Sequence, residues 1–403
     1  GVREIAADPS RVATLAPAIL TLRLTVAAGL AIVVASGGLL FLPQPDGAVL
    51  AVYSLTLLGV AANTRWIHLG LEDAGKVAMA RIAGECTMVV LVVLLVHSAG
   101  DLARVPLAQF SGDMLAMLLM AHWLRRRHAS LQLRWHWAAA APVFRKAWPL
   151  VLHAVLGLMI YNSDLLFLRA FRSAAEVGYY VAAYTLISFL LNLGIAYSQS
   201  LLPTLTRLAV QPDQQQALYQ TAMAQVFAAS FPLAIGGFLL APGIINLVFG
   251  PGYAPSVLAL QILIGSIPIA FYRNVPQMAL ISAGHPKLVL RITLVAALIN
   301  LALNIILIPE HGMAGAAAAT VATEVVRTGM ALFFAARFGF RFPRFDRLAR
   351  SLAAGLAMAA VLLLVRHWPL GSALALGPLA YLAVLTATGG IRWRGGGLPS
   401  LSV

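Results

Sequence analysis

The sequence predicts an all-α, polytopic membrane protein: about twelve transmembrane helices in two pseudo-repeated bundles, followed by a C-terminal helix pair. Three observations carry that prediction. Hydrophobic residues make up 61% of the chain and charged residues only 10%, against about 25% charged in soluble domains. The apolar residues fall in runs of roughly 20, the length a helix needs to cross a bilayer. Positive charges gather in alternate breaks between those runs.

Taken in order, the runs are 20–42, 48–64, 79–98, 106–124, 147–170, 179–204, 222–247, 256–282, 288–308, 313–336, 348–366 and 370–390. Turn residues separate them: LPQPDG at 42–47, HSAGD at 97–101, FGPGY at 249–253 and IPEHG at 308–312. Run 48–64 ends early at Asn63, and run 106–124 contains Asp113. Pro309, Glu310, His311 and Gly312 are expected to break one long stretch into a transmembrane hairpin, whose second arm opens with the small-residue face Gly315–Ala319. Such a face permits close helix approach. The expected organisation is an N-terminal four-helix bundle over 1–128, a basic cytoplasmic linker over 129–146, a six-helix bundle over 147–336, and a final helix pair with a basic tail over 337–403.

The net charge of +14 would suggest nucleic acid in a soluble protein. Here topology explains it. One set of alternate loops holds Arg65, Lys76, Arg125, Arg126, Arg127, Arg145, Lys146, Lys287, Arg337 and Arg341 among others, whereas the other clearly holds only Arg104, Arg172 and Arg366. The positive-inside rule makes the first set cytoplasmic, and no nucleic-acid partner is expected. The first residues are polar and carry both signs (Arg3, Glu4, Asp8, Arg11), unlike a secretory signal. The single cysteine, Cys86, supports no disulfide framework. The histidines are scattered without an HExxH, and neither a GxxxxGK[ST] loop nor a GxSxG elbow is present. No metal, no cofactor and no catalytic residues are therefore expected, and the protein is not read as an enzyme.

Two stretches resemble each other at an offset of roughly 205 to 210 residues, as the halves of a transporter do. AGKVAMARI (Ala74 to Ile82) and AGHPKLVLRI (Ala283 to Ile292) each lead into a long apolar helix. REIAADPS (Arg3 to Ser10) parallels TRLAVQPD (Thr206 to Asp213) in the same way. The second copy has runs 147–170 and 179–204 ahead of it, and the first copy has none. The expectation is a parent of about fourteen spans, with two helices preceding Gly1. A natural twelve-span chain with chance similarity is the alternative.

Four segments, in order, carry a family resemblance. They are WIHLGLEDAGKVAMARI (Trp66 to Ile82), NSDLLFLRAFRSAAEVGYYVAAY (Asn162 to Tyr184), VFGPGYAPSVLALQIL (Val248 to Leu263) and INLALNIILIPEHGMAGAAAATVATE (Ile299 to Glu324). With them the sequence resembles the polysaccharide transporter and O-antigen flippase branch of the multidrug/oligosaccharidyl-lipid/polysaccharide (MOP) exporter superfamily. The resemblance implies a MATE-like pair of bundles around a central cavity in a bacterial inner membrane. It implies alternating access that moves an undecaprenyl-pyrophosphate-linked oligosaccharide outward for O-antigen, exopolysaccharide or capsule. Its implied partners are that lipid-linked oligosaccharide, the bilayer, and a polysaccharide polymerase with its chain-length machinery. The alternatives are a small-molecule or drug antiporter, a lipid II flippase, a membrane glycan polymerase or ligase, and a nonfunctional remnant. Short outward loops argue against the polymerase.

A charge at the bilayer centre costs about 2.5–3.5 kcal/mol on insertion scales, so intramembrane ionisable residues are the first functional candidates. Arginine suits phosphate because its fork engages two oxygens at once. Arg273, inside run 256–282 beside Asn274 and Pro276, is the leading cation for substrate, with pairing across helices as the structural alternative. Arg81 and Arg291 occupy equivalent repeat positions at the cytoplasmic helix ends, where they either receive a pyrophosphate or snorkel to the interface. Arg81 shares a face with Glu85, and Glu324 with Arg327. Asp164 is the coupling-ion candidate, with an ion pair to Arg169 or a sugar contact as alternatives. Asn162 and Asp113 complete the cavity candidates, and His153 is read as a bundle or cavity histidine. Asn300 and Asn304, four apart on one face, point to inter-helix hydrogen bonding or sugar binding.

Overall fold

The computed structural model describes residues 5, 12–71, 73–101, 104–127, 152, 155–156, 158–159, 162–342, 345–392 and 400–401. The expected linker 129–146 and His153 lie outside the described residues. The chain divides into two compact units, Gly1–Trp148 and Pro149–Val403. Among the described residues, eight helices are long and apolar enough to cross a membrane. One of them, 52 residues long, is two helices across a break. With the helices at 104–127, 162–171 and 345–364, the fold reaches the 12 expected helices. The strands described are a two-residue antiparallel pair, Ile391–Arg392 with Ser400–Leu401.

In the first unit, α1 (Val12–Phe41) packs on α2 (Asp46–Tyr53) and α3 (Thr56–Ala62), which α4 (Arg65–Gly70) follows. The predicted continuous span 48–64 is thus broken. Ser54 and Thr56 return their hydroxyls to the carbonyls of Ala51 and Tyr53, both at 2.7 Å, a local bond that competes with the helix ladder. Asn63 then turns extended at φ −66°, ψ 124°. The carbonyls exposed at that end are capped by Arg23, which donates to Val60 O at 2.7 Å and Asn63 O at 3.2 Å.

α5 (Ala74–Leu95) and α6 (Arg104–Arg127) form the closest pair of this unit. Gly84 and Gly112 face each other so tightly that a Cβ on Gly84 would lie 2.6 Å from the Gly112 carbonyl oxygen. Glycine is what allows two backbones to meet there. Between these helices, Asp101 accepts from the amides of His97 and Ser98 at 3.2 and 3.1 Å and pairs with Arg104 at 2.8 Å. The His97 amide, then the Ser98 hydroxyl, with Arg104 adding its charge, hold this half-buried loop carboxyl below its usual range.

The second unit begins with α7 (162–171), followed by α8 (Ala174–Arg207), α9 (Pro212–Leu239) and a short α10 (Ala241–Phe249). The predicted run 222–247 divides between α9 and α10 because Pro242 sits in the first turn of α10, where its missing N–H costs nothing. The run 256–282 likewise divides at Gly265 into α11 (Ser256–Ile264) and α12 (Ser266–Ser282). α13 (Pro286–Arg337) carries the hairpin, and α14 (Phe345–Leu364) and α15 (Leu370–Ala387) close the chain. Both pack on α9, where the Tyr381 hydroxyl donates to Ala228 O at 2.8 Å.

The hairpin differs from its expected form in one respect. Pro309, Glu310 and His311 stay helical, and the chain reverses at Gly312 alone, at φ 55° and ψ −133°. Only glycine adopts that conformation without strain. The arms then run antiparallel, since Asn300 reaches Thr323 across the turn at 3.4 Å. The reversal leaves helix ends to be satisfied. Arg172 donates to Pro309 O at 2.8 Å and Ile308 O at 3.4 Å, and Glu176 accepts from the Met313 amide at 2.8 Å. A cation thus caps the carbonyl end of one arm and a carboxylate the amide end of the other, as the helix dipole favours.

Candidate functional site

Three features of the second unit bear on function. The first is a buried polar cluster about Asp164. The carboxylate is fully buried. Its Oδ2 accepts from the Tyr180 and Thr320 hydroxyls, both at 2.7 Å, and its Oδ1 from Asn304 Nδ2 at 2.7 Å. The network continues through Ser163, which donates to Asn300 Oδ1 at 2.9 Å, and through Asn300 to Thr323. Asn304 Oδ1 is buried with no hydrogen-bond partner among the described residues. A helix face with asparagines at i and i+4 places both amides on one side. Here that side meets α7, α8 and the second hairpin arm. The cluster gathers a carboxylate whose two oxygens are both hydrogen-bonded, hydroxyls and an orphaned amide oxygen; among the described residues no three His, Cys, Asp or Glu side chains gather to hold a metal ion.

The second feature is an ionic network one layer away. Arg273 Nε lies 2.9 Å from Glu324 Oε2, and Arg327 Nη1 lies 3.3 Å from Glu324 Oε1. Arg273 Nη1 also donates to Gln277 Oε1 at 2.7 Å. These groups are 1–6% exposed. Arg273 and Arg327 border a void of about 10 Å³, room for about one water. Sequence pattern flagged Glu324 and Arg327 as neighbours on one face; Arg273 joins them from α12.

The third is a wholly apolar cavity of about 540 Å³ between α8, α9, α11 and the final pair, bounded by Phe189, Pro232, Ile264, Met358, Pro378 and Tyr381.

The remaining candidates stand apart. Asn162 is exposed, next to the Asp164 cluster in sequence, with its amide donated to Leu158 O at 2.8 Å. Arg291 is exposed on the rim of a separate basic cavity. In the first unit, Arg81 lies 3.8 Å from Glu85, both more than half exposed. Asp113 is half-buried on α6, hydrogen-bonded to the Gln109 side chain. Tyr180, Thr320, Ser163 and Thr323 were not singled out by sequence reasoning. Each is a neutral residue within an apolar run, and what marks them is spacing: Thr320 and Thr323 lie one turn apart, as Glu324 and Arg327 do.

Comparison with known proteins adds the following. Residues 3–209 match the family model described as polysaccharide biosynthesis protein. The chain is 23% identical over 214 residues to a probable low-salt glycan biosynthesis flippase, Agl15, of Haloferax volcanii, covering 53% of this chain and 45% of that protein. It thus spans about half the length of this curated relative. Its fold is similar to the lipid II flippase MurJ in an inward closed conformation, with a TM-score of 0.77 at 13% identity over 96% of this chain and 87% of that one. It is also similar to an inward-facing multidrug resistance MATE family transporter of the MOP superfamily, with a TM-score of 0.66 at 14% identity over 84% of this chain and 83% of that one.

Proposed function

Because the chain belongs to the polysaccharide biosynthesis protein family, we propose that it is a flippase for a lipid-linked oligosaccharide, carrying an undecaprenyl-pyrophosphate-linked unit across the bacterial inner membrane for surface polysaccharide. The family match over residues 3–209 carries this reading. The fold is shared with transporters of different cargo and so does not choose among them. A polyprenyl-linked cargo has a long apolar chain and a hydrophilic head. The apolar cavity of about 540 Å³, open along exposed Phe189 and Leu382, offers the chain a lodging on the flank of the helices.

Alternating access needs two packings of the bundle and a ligand that prefers one of them. Asp164 supplies the ligand site in this reading. A small cation at its carboxylate, with Asn304 turning its unpartnered Oδ1 inward, would draw α7, α8 and the hairpin together. Arg81 in the first unit and Arg291 in the second, each exposed in the opening turns of its own helix, are each a candidate cation for the pyrophosphate. Asn162 and Asp113 offer hydrogen bonds to sugar hydroxyls. Arg273, the leading cation of the sequence, is committed to Glu324 and Gln277, so in this reading it acts by fixing α12 against the second hairpin arm. The polymerase and chain-length machinery are proposed partners in sequence with it.

Deletion of the gene followed by analysis of undecaprenyl-linked intermediates tests the reading. Build-up of the unit on the cytoplasmic side, with loss of surface polysaccharide, is expected. Unchanged polysaccharide and no build-up would overturn it.

A further inference from the structure

A second cavity, of about 530 Å³, lies at one end of the second unit, where the turn at Gly284 and His285 leads from α12 into the first residues of α13 and where α13 ends at Arg337, just before Phe338. Its lining contributes Lys287, Arg291 and Arg337 and no carboxylate. All three basic side chains are exposed, and none makes an ion pair among the described residues. The wall is aromatic: Phe334 lines it, and His285 stacks on Phe338 with ring centroids 3.9 Å apart at 25°. Like charges that share one rim repel unless something answers them. A ligand that fits must be anionic, and it must tolerate an apolar wall.

Position narrows the chemistry. The cavity sits at the termini of membrane-crossing helices, the level of lipid head groups. Leu294, Val295 and Phe333, on the same two hairpin arms, are 43%, 39% and 61% exposed, so a surface for acyl chains runs down from the basic rim. By the positive-inside expectation this rim faces the cytoplasm, where anionic lipid is concentrated. The geometry points to a binding pocket for the phosphate of a lipid head group, distinct from the Asp164 cluster and from the apolar cavity. Arginine and lysine both serve here, the guanidinium groups by forked bonds to phosphate oxygens and the ammonium as a point charge. The phosphate has two sources, a bilayer phospholipid such as phosphatidylglycerol, or a polyprenyl pyrophosphate. The second source rests on the flippase reading and would make this pocket the loading site for its cargo; the first stands without it.

The test uses the purified full chain in phosphatidylcholine nanodiscs, doped in turn with phosphatidylglycerol or undecaprenyl pyrophosphate, with bound lipid counted by native mass spectrometry. Inorganic pyrophosphate in solution is the third arm. The wild type is expected to retain a doped anionic lipid over phosphatidylcholine. Removing all three charges (K287Q, R291Q, R337Q) should weaken retention roughly hundredfold, since a basic residue at an anionic surface is worth about fivefold. The charge-preserving set K287R, R291K, R337K should keep most of it, which separates lost charge from lost fold. Retention of phosphatidylglycerol assigns a bilayer lipid, and selective retention of undecaprenyl pyrophosphate assigns the carrier. Equal retention of all lipids by the wild type overturns the pocket. So does binding of inorganic pyrophosphate alone, because the ligand would then not be a lipid. None of these readouts depends on translocation, so a failed flippase assay leaves the result standing.

Discussion

Arg273 and Glu324, separated by 51 positions in the chain, meet at 2.9 Å in the interior of the second unit, with Arg327 on the other carboxylate oxygen. One carboxylate thus serves two guanidinium groups, and the two arginines are not equivalent to it. Replacing Glu324 by Gln removes the counter-charge of both and should cost about 3–5 kcal/mol, as breaking a buried pair does. Arg273→Met leaves Glu324 with Arg327 and should cost clearly less. Thermal unfolding in detergent compares them, and equal losses would mean that the carboxylate is not the shared centre.

Asp164→Asn should separate fold from coupling. The replacement amide keeps an oxygen for Tyr180 and Thr320, and its nitrogen can be met by Asn304 once that side chain flips its orphaned oxygen inward. The unfolding temperature is expected to change little. Any stabilisation by sodium or another small cation is expected to vanish, as is cation-driven transport. A cation response that persists in this variant would remove Asp164 from the coupling site.

Gly312→Ala tests the reversal of the hairpin. At φ 55° and ψ −133° a side chain is strained, at a cost of about 1–3 kcal/mol, and its Cβ would also fall on the Glu176 carboxylate. Reduced unfolding temperature and reduced membrane yield are expected. Gly178→Ala, where a Cβ meets nothing within 4 Å, is the matched control.

Asp101 gives a pH dependence of known sign. Its carboxyl is held below the ordinary range by the His97 amide, the Ser98 hydroxyl and Arg104. A group with a depressed folded-state pKa stabilises above its unfolded value, about 3.9 for Asp, and that contribution is lost as pH falls through the lowered value. The difference in unfolding temperature between wild type and Asp101→Asn should therefore be steady near neutrality and shrink only in strong acid. A difference that already disappears at weakly acid pH would contradict the assigned bonds.

How much of this was legible beforehand follows from what each pattern encodes. Helix number came from apolar run length, because a bilayer imposes that length whatever the fold. The hairpin was readable from Pro309 to Gly312, but only Gly312 reverses the chain, and the Ile308 and Pro309 carbonyls left open by that reversal need a donor from elsewhere. Arg172 is that donor, and nothing in its local sequence shows that it reaches a helix 136 positions away. The break in 48–64 escaped because Ser54 and Thr56 act through hydroxyls that hydropathy scarcely registers. At the site, Asp164 and the asparagine pair stood out as rare polar groups in apolar runs. Tyr180 and Thr320 did not, because hydroxyl-bearing residues are common there and long-range contact alone gives them a role. Arg273 was conspicuous as a charge, while its partner became evident only once α12 lay against the second hairpin arm.

The clasp at the tip of the hairpin has a mechanical corollary. Arg172 and Glu176 rivet both arms of α13 to the corner between α7 and α8, so that end of the second unit moves as one piece. At the opposite end the two arms meet through the stack of His285 on Phe338, and the chain passes there through Gly284 at φ 84°. The two ends are held by different chemistry, charge-assisted bonds at the tip and a ring contact at the mouth. That mouth is where Lys287, Arg291 and Arg337 gather.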